Sequence, residues 1–159
     1  MDRAAARLAN HIKRTVTGPM WHGGALDQVL EGVTHDQAAA RPIADAHTIW
    51  EIVLHVIAWA EIARARLRGE RIADALPLED WPPVTSTTDA DWAIVLQRLS
   101  DSHRALAQDV RHLDEAAIDA PIQGLEYTAS NLLHGVIEHG TYHGGQIALL
   151  KKALAGWRT

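Results

Sequence analysis

Apolar residues recur at steps of three and four along most of the chain, and this spacing predicts amphipathic helices. A first helix is predicted from about Arg3 to Val16, and its inward-facing stripe consists of Ala5, Leu8, Ile12 and Val16. Gly18 and Pro19 end this helix, because neither residue continues a helix well. A short helical segment is predicted next, from about Ala25 to Leu30.

Three threonines, each followed three residues later by a side chain that can complete a cap, mark further helix starts. The pairs are Thr34 with Gln37, Thr48 with Glu51, and Thr88 with Asp91. They predict a short turn before Pro42, a second long helix that ends near Gly69 and a third that ends near Leu113. A fourth long helix is predicted from about Ser130 to Ala155.

In two connections between these helices, the apolar residues do not recur at a regular spacing. Residues 71–87 contain three prolines, and the stretch "DAPIQGLEY" separates the third helix from the fourth. No strand pattern is long enough to compete with the helical one. The sequence therefore predicts an all-α fold, a four-helix bundle with long crossover connections, built as a single domain over residues 1–159.

Composition and charge exclude several classes of protein. The chain carries a net charge of -5, and no run of Lys or Arg is longer than a pair, so a nucleic-acid partner is not expected. The longest apolar run, "IVLHVIAWA", is too short to cross a membrane, and a cytoplasmic location is expected. Because there is no cysteine, any metal ligand must come from His, Asp or Glu.

Three histidines fall on apolar stripes, where a helix would otherwise bury aliphatic residues. The stripe of the fourth helix is Leu132, Val136, His139, His143, Gln146 and Leu150. The matching stripe of the second helix is Ile52, His55, Trp59 and Ile62. His134 lies five residues before His139, about 140° away around the helix, and therefore belongs to another face.

Inward histidines at this spacing are typical of a metal site. Imidazoles four residues apart can reach one ion while a third arrives from a facing helix, and three ligands leave an open position. Ten histidines in 159 residues give about 0.6 such pairs by chance, so the alternative is core histidines satisfied by carbonyls or by each other. A metalloprotease motif is excluded, because Gly140 stands where its glutamate base is required.

The other histidines are predicted to be surface or capping residues: His11, His22, His35, His47, His103, His112 and His134. Of these, His22 and His47 lie in loops that can line a site. The tryptophans Trp50, Trp59 and Trp92 are predicted to belong to the core. Gly144 and Gly145 are predicted to mark a close approach of the fourth helix to another backbone or to a ligand.

The segments "HTIWEIVLHVIAW" and "EHGTYHGGQIALLKKAL" resemble the DinB/YfiT-like family of metal-binding four-helix bundles, and "GPMWHGGALDQVLEGVTHDQAAARPI" resembles the leading segment of one of its branches. The resemblance implies that His55, His139 and His143 bind a divalent ion, with zinc and nickel as the expected metals. It also implies a homodimer and a thiol-dependent S-transferase that uses a low-molecular-weight thiol as one small-molecule substrate.

The function is therefore expected to be that of a metal-dependent enzyme whose catalytic residues the sequence does not identify. Residues expected to support the ligands or to line the substrate site are His22, His47, Glu51, Tyr142 and Gln146. Two alternatives stay open: a hydrolase that uses metal-bound hydroxide, and a non-catalytic protein whose metal stabilises a structural or binding bundle.

Overall fold

A computed structural model describes residues 3–70 and 74–156 of the chain. Within these ranges the backbone forms eight helices and no strand, so the all-α prediction is confirmed there. The helices are α1 (Arg3–Val16), α2 (Leu26–Leu30), α3 (His35–Ala39), α4 (Ile49–Leu67), α5 (Pro77–Asp80), α6 (Asp89–Arg111), α7 (Glu115–Asp119) and α8 (Ala129–Gly156). None of these described helices is both long and apolar enough to cross a membrane.

The helix starts follow the threonine caps that the sequence predicted. Thr34, Thr48 and Thr88 accept hydrogen bonds at Oγ1 from the backbone N–H groups of Gln37, Glu51 and Asp91, at 3.3, 3.1 and 3.2 Å. The side chain of Glu51 also accepts from the backbone N–H of Thr48, at 2.6 Å, which completes the reciprocal cap of α4. These caps fix where α3, α4 and α6 begin.

Two short helices were not predicted. The segment 71–87 was predicted to be a connection without helix, but α5 lies within it; its residues 71–73 are outside the described part of the chain. The second, α7, follows the end of α6. Helices of four and five residues span little more than one turn, which is too short for an apolar period to show.

Four long helices pack in a ring. Both α1 and α4 contact α6 and α8, so the order around the ring is α1, α6, α4, α8. The chain crosses the ring diagonally from α1 to α4 and again from α6 to α8, with the short helices α2 and α3 in the first crossing and α7 in the second. This arrangement places α4 beside α8, the two helices that carry the inward histidines.

The apolar core has two clusters, one towards each end of the ring. The first contains the amino-terminal half of α4, where Trp50 packs against Trp92 at 4.9 Å between ring centroids. The second contains the amino-terminal part of α8 together with α1 and α7. Along α8 the second cluster ends at Ile137 and the first resumes at Ile147, so the inward histidines of α8 lie between the two apolar clusters.

The close approach of α8 to a neighbouring helix occurs at Gly140 and not at Gly144 or Gly145, for which an approach to another backbone or to a ligand was predicted. A Cβ atom added to Gly140 would lie 2.5 Å from Cγ2 of Thr15 on α1. One added to Gly144 would make an ordinary contact of 3.4 Å with Leu26, and one added to Gly145 would meet nothing within 4 Å. Glycine spacing alone cannot show which face of the helix meets a neighbour.

Candidate metal centre

Three imidazoles meet between α4 and α8. His55 projects from α4, and His139 and His143 project from successive turns of α8. Nε2 of His139 lies 2.8 Å from Nε2 of His55 and 3.0 Å from Nε2 of His143. Among the described residues, these three form a group whose ligand atoms all lie within 4.8 Å of one another. The helical phase predicted for the three histidines therefore agrees with their positions in the structure.

The outer nitrogen atoms of two rings are held by hydrogen-bond acceptors. Nδ1 of His55 donates to the backbone carbonyl of Asp80 at 2.6 Å, and a carboxylate oxygen of Asp80 lies 3.3 Å away. Nδ1 of His143 donates to Oε1 of Gln146 at 2.6 Å. Both partners are oxygen atoms that can only accept, so the proton of each neutral ring is on Nδ1. Nε2 of His55 and of His143 therefore carries a lone pair, and it is directed at His139.

This arrangement fits a divalent cation. A proton on Nε2 of His139 can be donated to Nε2 of only one of its two neighbours. Nε2 of the other neighbour would then face His139 without a proton between the two nitrogen atoms, and their lone pairs would repel. An ion that accepts all three lone pairs removes this repulsion. Zinc–nitrogen bonds of about 2.0–2.1 Å place tetrahedral ligands roughly 3.3 Å apart, so small movements of the rings would admit the ion.

Burial keeps the three imidazoles neutral. Loss of hydration, together with the neighbouring His143 and His55, lowers the pKa of His139 to about 3. Desolvation also lowers the pKa of His55 and of His143, against the opposing effects of Asp80 and Gln146. Neutral imidazole is the form that binds a metal, so the site needs no deprotonation at neutral pH.

One face of the cluster is covered by the segment that contains α5. The indole of Trp81 is stacked between the rings of His55 and His47, at 3.9 and 3.5 Å between centroids. Nε1 of Trp59 donates to a carboxylate oxygen of Asp80 at 2.7 Å, so the residue that holds His55 is itself held. Sequence reasoning missed Asp80 and Trp81, because neither lies on a long helix and only the fold brings them to the cluster.

The residues predicted to support the site lie at different distances from it. Gln146 contacts His143 directly, and its Nε2 donates to the hydroxyl of Tyr142 at 3.1 Å. The exposed ring of Tyr142 lies edge-on to the ring of His143, at 5.1 Å between centroids. Both residues therefore flank the outer side of the α8 pair.

His47 and Glu51 lie further from the cluster. His47 is separated from His55 by the indole of Trp81, and its Nδ1 lies 3.6 Å from Oε2 of Glu51. Glu51 also accepts two hydrogen bonds of 3.0 Å from Arg41. His22 is exposed and lines a separate pocket of about 220 Å³ beside Gly144.

A larger cavity of about 630 Å³ reaches the cluster at His139. Its described lining residues are Trp59, Arg66, Asp74, Glu126, Tyr127, Asn131, Leu132, Gly135, Val136 and His139. Trp59 was predicted to belong to the core, but it is only partly buried and forms one wall of this cavity. A volume of this size is typical of small-molecule sites.

His103 corrects another prediction. It was expected at the surface or at a helix cap, but it is 1% exposed within α6. Its Nδ1 donates to the carbonyl of Leu99 at 3.1 Å, and its buried Nε2 makes no hydrogen bond with the residues that the structure describes. Burial lowers its pKa to about 4.

Fold and site together define an all-α protein in which two neighbouring helices bring together three histidines that could hold a metal ion. The chain belongs to the DinB superfamily, whose sequence pattern it matches over residues 20–147. The match includes all three clustered histidines. Comparisons with curated proteins and with solved structures give no match.

Proposed function

We propose that this chain is a divalent-metal-dependent enzyme in which His55, His139 and His143 hold the ion. The observation that carries the proposal is the convergence of three Nε2 atoms, two of them with their Nδ1 protons held by Asp80 and Gln146. Three protein ligands leave a coordination position for a substrate. The cavity at His139 supports a substrate approach from that side.

The side chains around the cluster have separable roles in this proposal. Asp80 and Gln146 fix the rings of His55 and His143 in the tautomer that binds a metal. Trp81 covers the ring of His55 and limits access of water from that side. When bound, a divalent ion would supply Lewis acidity and lower the pKa of a thiol or water taken from solution.

Within this proposal, zinc and nickel are the expected ions, and the reaction is the transfer of a low-molecular-weight thiol to an electrophilic small molecule. Imidazole ligands suit both metals. The chain has no cysteine, which is compatible with a thiol supplied from outside. A cytoplasmic location and a homodimer complete the proposal, and both rest on the sequence pattern and the family resemblance.

Metal content of single variants tests the ligand set. Replacement of His55, His139 or His143 by Ala should remove most of the bound metal, because two remaining imidazoles hold an ion weakly. His134→Ala is the matched control, since His134 lies on the same helix but is exposed. Elemental analysis of the purified variants gives the result. Full metal retention in the His143→Ala variant would contradict the proposed site.

A second assay tests the reaction. Metal-loaded protein should conjugate a panel of low-molecular-weight thiols to an electrophile faster than metal-free protein, since a free thiol with a pKa near 8.5 is mostly protonated at pH 7. The His143→Ala variant should lose the acceleration. Metal-dependent hydrolysis of esters or amides without conjugation would replace the transferase by a hydrolase. No turnover of either class would favour a structural role for the metal.

A further inference from the structure

The cavity beside His139 contains a buried cation. Arg66, in the last turn of α4, lines the cavity, and its side chain is only 2% exposed. Most of the other wall is apolar or aromatic, with Trp59, Leu132 and Val136 among the lining residues. A guanidinium group in such a wall is costly to bury, so its position calls for a reason.

The guanidinium of Arg66 is held at a defined place relative to the histidine cluster. Its Nη1 donates to the hydroxyl of Tyr127 at 2.6 Å, and its Cζ lies 5.5 Å from the ring centroid of Trp59. The ring of Trp59 in turn lies 6.0 Å from that of His139. One indole therefore separates the cation from the nearest clustered imidazole, and all of these groups line the same cavity.

Two carboxylates also line this cavity, and both are on exposed side chains. Oδ1 of Asp74 lies 3.6 Å from Nη2 of Arg66, and its side chain is 94% exposed; Glu126 is exposed as well. Charges in contact with water are screened, whereas a buried charge acts through a lower dielectric. Arg66 therefore contributes a buried positive charge to the inner cavity, and Asp74 shows that a carboxylate can approach its guanidinium from the solvent side.

We propose that the cavity binds a small molecule with an apolar body and a carboxylate, and that Arg66 is the residue that selects the carboxylate. The apolar body would lie along Trp59, Leu132 and Val136, and the far end of the molecule would face His139. A ligand carboxylate would displace that of Asp74, whose Oδ1 lies 3.6 Å from the guanidinium and whose side chain is 94% exposed. Only one part of this proposal rests on the proposed function, namely that the end of the molecule near the histidine cluster is the end that reacts.

Binding of two matched probes tests the selection. 4-Phenylbutyrate and 4-phenylbutanamide have the same shape and differ in charge at one end. By isothermal titration calorimetry at pH 7, the carboxylate should bind roughly tenfold or more tightly than the amide, as expected for a charge-assisted hydrogen bond. Equal affinities of the two probes, or tighter binding of the amide, would overturn the proposal.

Two variants that should change the affinity for the carboxylate probe in opposite directions extend the test. Arg66→Gln should abolish the preference for the carboxylate, and circular dichroism checks that this variant is folded. Asp74→Asn alters an exposed side chain and should strengthen carboxylate binding roughly two- to fivefold, because a competing charge is removed. Glu31→Gln, an exposed position outside the cavity, is the control with the same charge change. Weaker carboxylate binding in Asp74→Asn would count against the proposal.

The probe experiment separates this proposal from the proposed metal chemistry. The His143→Ala variant, expected to lose the metal, should still prefer 4-phenylbutyrate, since His143 does not belong to the described cavity wall. In the wild-type protein, a preference for the carboxylate without any metal-dependent activity would support the carboxylate site and contradict the proposed enzyme. Metal-dependent conjugation without a preference for the carboxylate probe would support the proposed enzyme and contradict the carboxylate site.

Discussion

His103 and His55 are both buried imidazoles, yet their surroundings give them different roles. His55 has an acceptor at Nδ1 and two imidazoles opposite Nε2, whereas Nε2 of His103 has no hydrogen-bond partner among the described residues. A stripe of the same kind as the one that predicted His55 contained the signal for His103, which lies between Leu99 and Leu106 of another helix at helical spacing. Burial of single residues was predictable from the stripe, but the hydrogen-bond partners were not.

The buried His103 should make stability depend on pH. Its pKa is about 4 in the folded protein against 6.5 for an ordinary histidine, so the unfolded chain binds the proton more readily. The stabilisation is complete above pH 6.5 and is lost as the pH falls from 6.5 towards 4. The change amounts to about 1.4 kcal/mol per pH unit for one histidine.

His103→Leu removes this titration. The free energy of unfolding of this variant minus that of the wild type should increase by about 2 kcal/mol as the pH falls from 8 to 5. Urea denaturation at both pH values measures it. The clustered histidines titrate in both proteins, so their contribution cancels in the comparison. A difference that is the same at both pH values would show that protonation of His103 is not linked to folding.

At the scale of elements, the long helices were predictable and the short ones were not. The ends of α1, α4, α6 and α8 agree with the predicted ends to within two residues, because caps and stripes act locally. The short helix α5 depends on Pro77 at its first turn and on contacts with α4 that no local pattern encodes. Since α5 carries Asp80 towards His55, part of the site was hidden with it.

The approach of α8 to α1 gives a prediction for two glycines of one helix. Gly140→Ala should destabilise the protein by roughly 1–3 kcal/mol, because its Cβ would lie 2.5 Å from Cγ2 of Thr15, a buried side chain. Gly145→Ala should stabilise it by up to about 1 kcal/mol, since this exposed helical position has open space and alanine favours helix. Thermal unfolding of both variants measures the difference. Equal effects would mean that α8 does not meet α1 at Gly140.

At the scale of the whole molecule, the site exists because the order of the helices in the ring places α4 beside α8. His55 and His139 are separated by 84 positions in the sequence, and they meet because the chain crosses the ring and places α8 beside α4. The resemblance supplied this pairing as an expectation, whereas the apolar stripes showed only that each histidine faces inward. The cavity lined by α4 and α8 was not predictable from either, because its shape depends on how the two helices pack.

A metal that joins α4 to α8 should stabilise the entire fold. Its ligands come together only in the folded chain, so zinc or nickel at one hundred times its dissociation constant should add about 2.7 kcal/mol. For a chain of this length, that corresponds to a rise in Tm of roughly 5–11 °C. Differential scanning fluorimetry with and without the metal measures the rise.

The same measurement on two variants identifies the origin of the stabilisation. His134→Ala should keep the full rise in Tm, and His143→Ala should lose most of it, because only His143 belongs to the cluster. Metal bound in a one-to-one ratio without any rise in Tm would mean that the ion binds folded and unfolded chains equally. An ion held between two helices cannot behave in this way, so that result would contradict a site shared by α4 and α8.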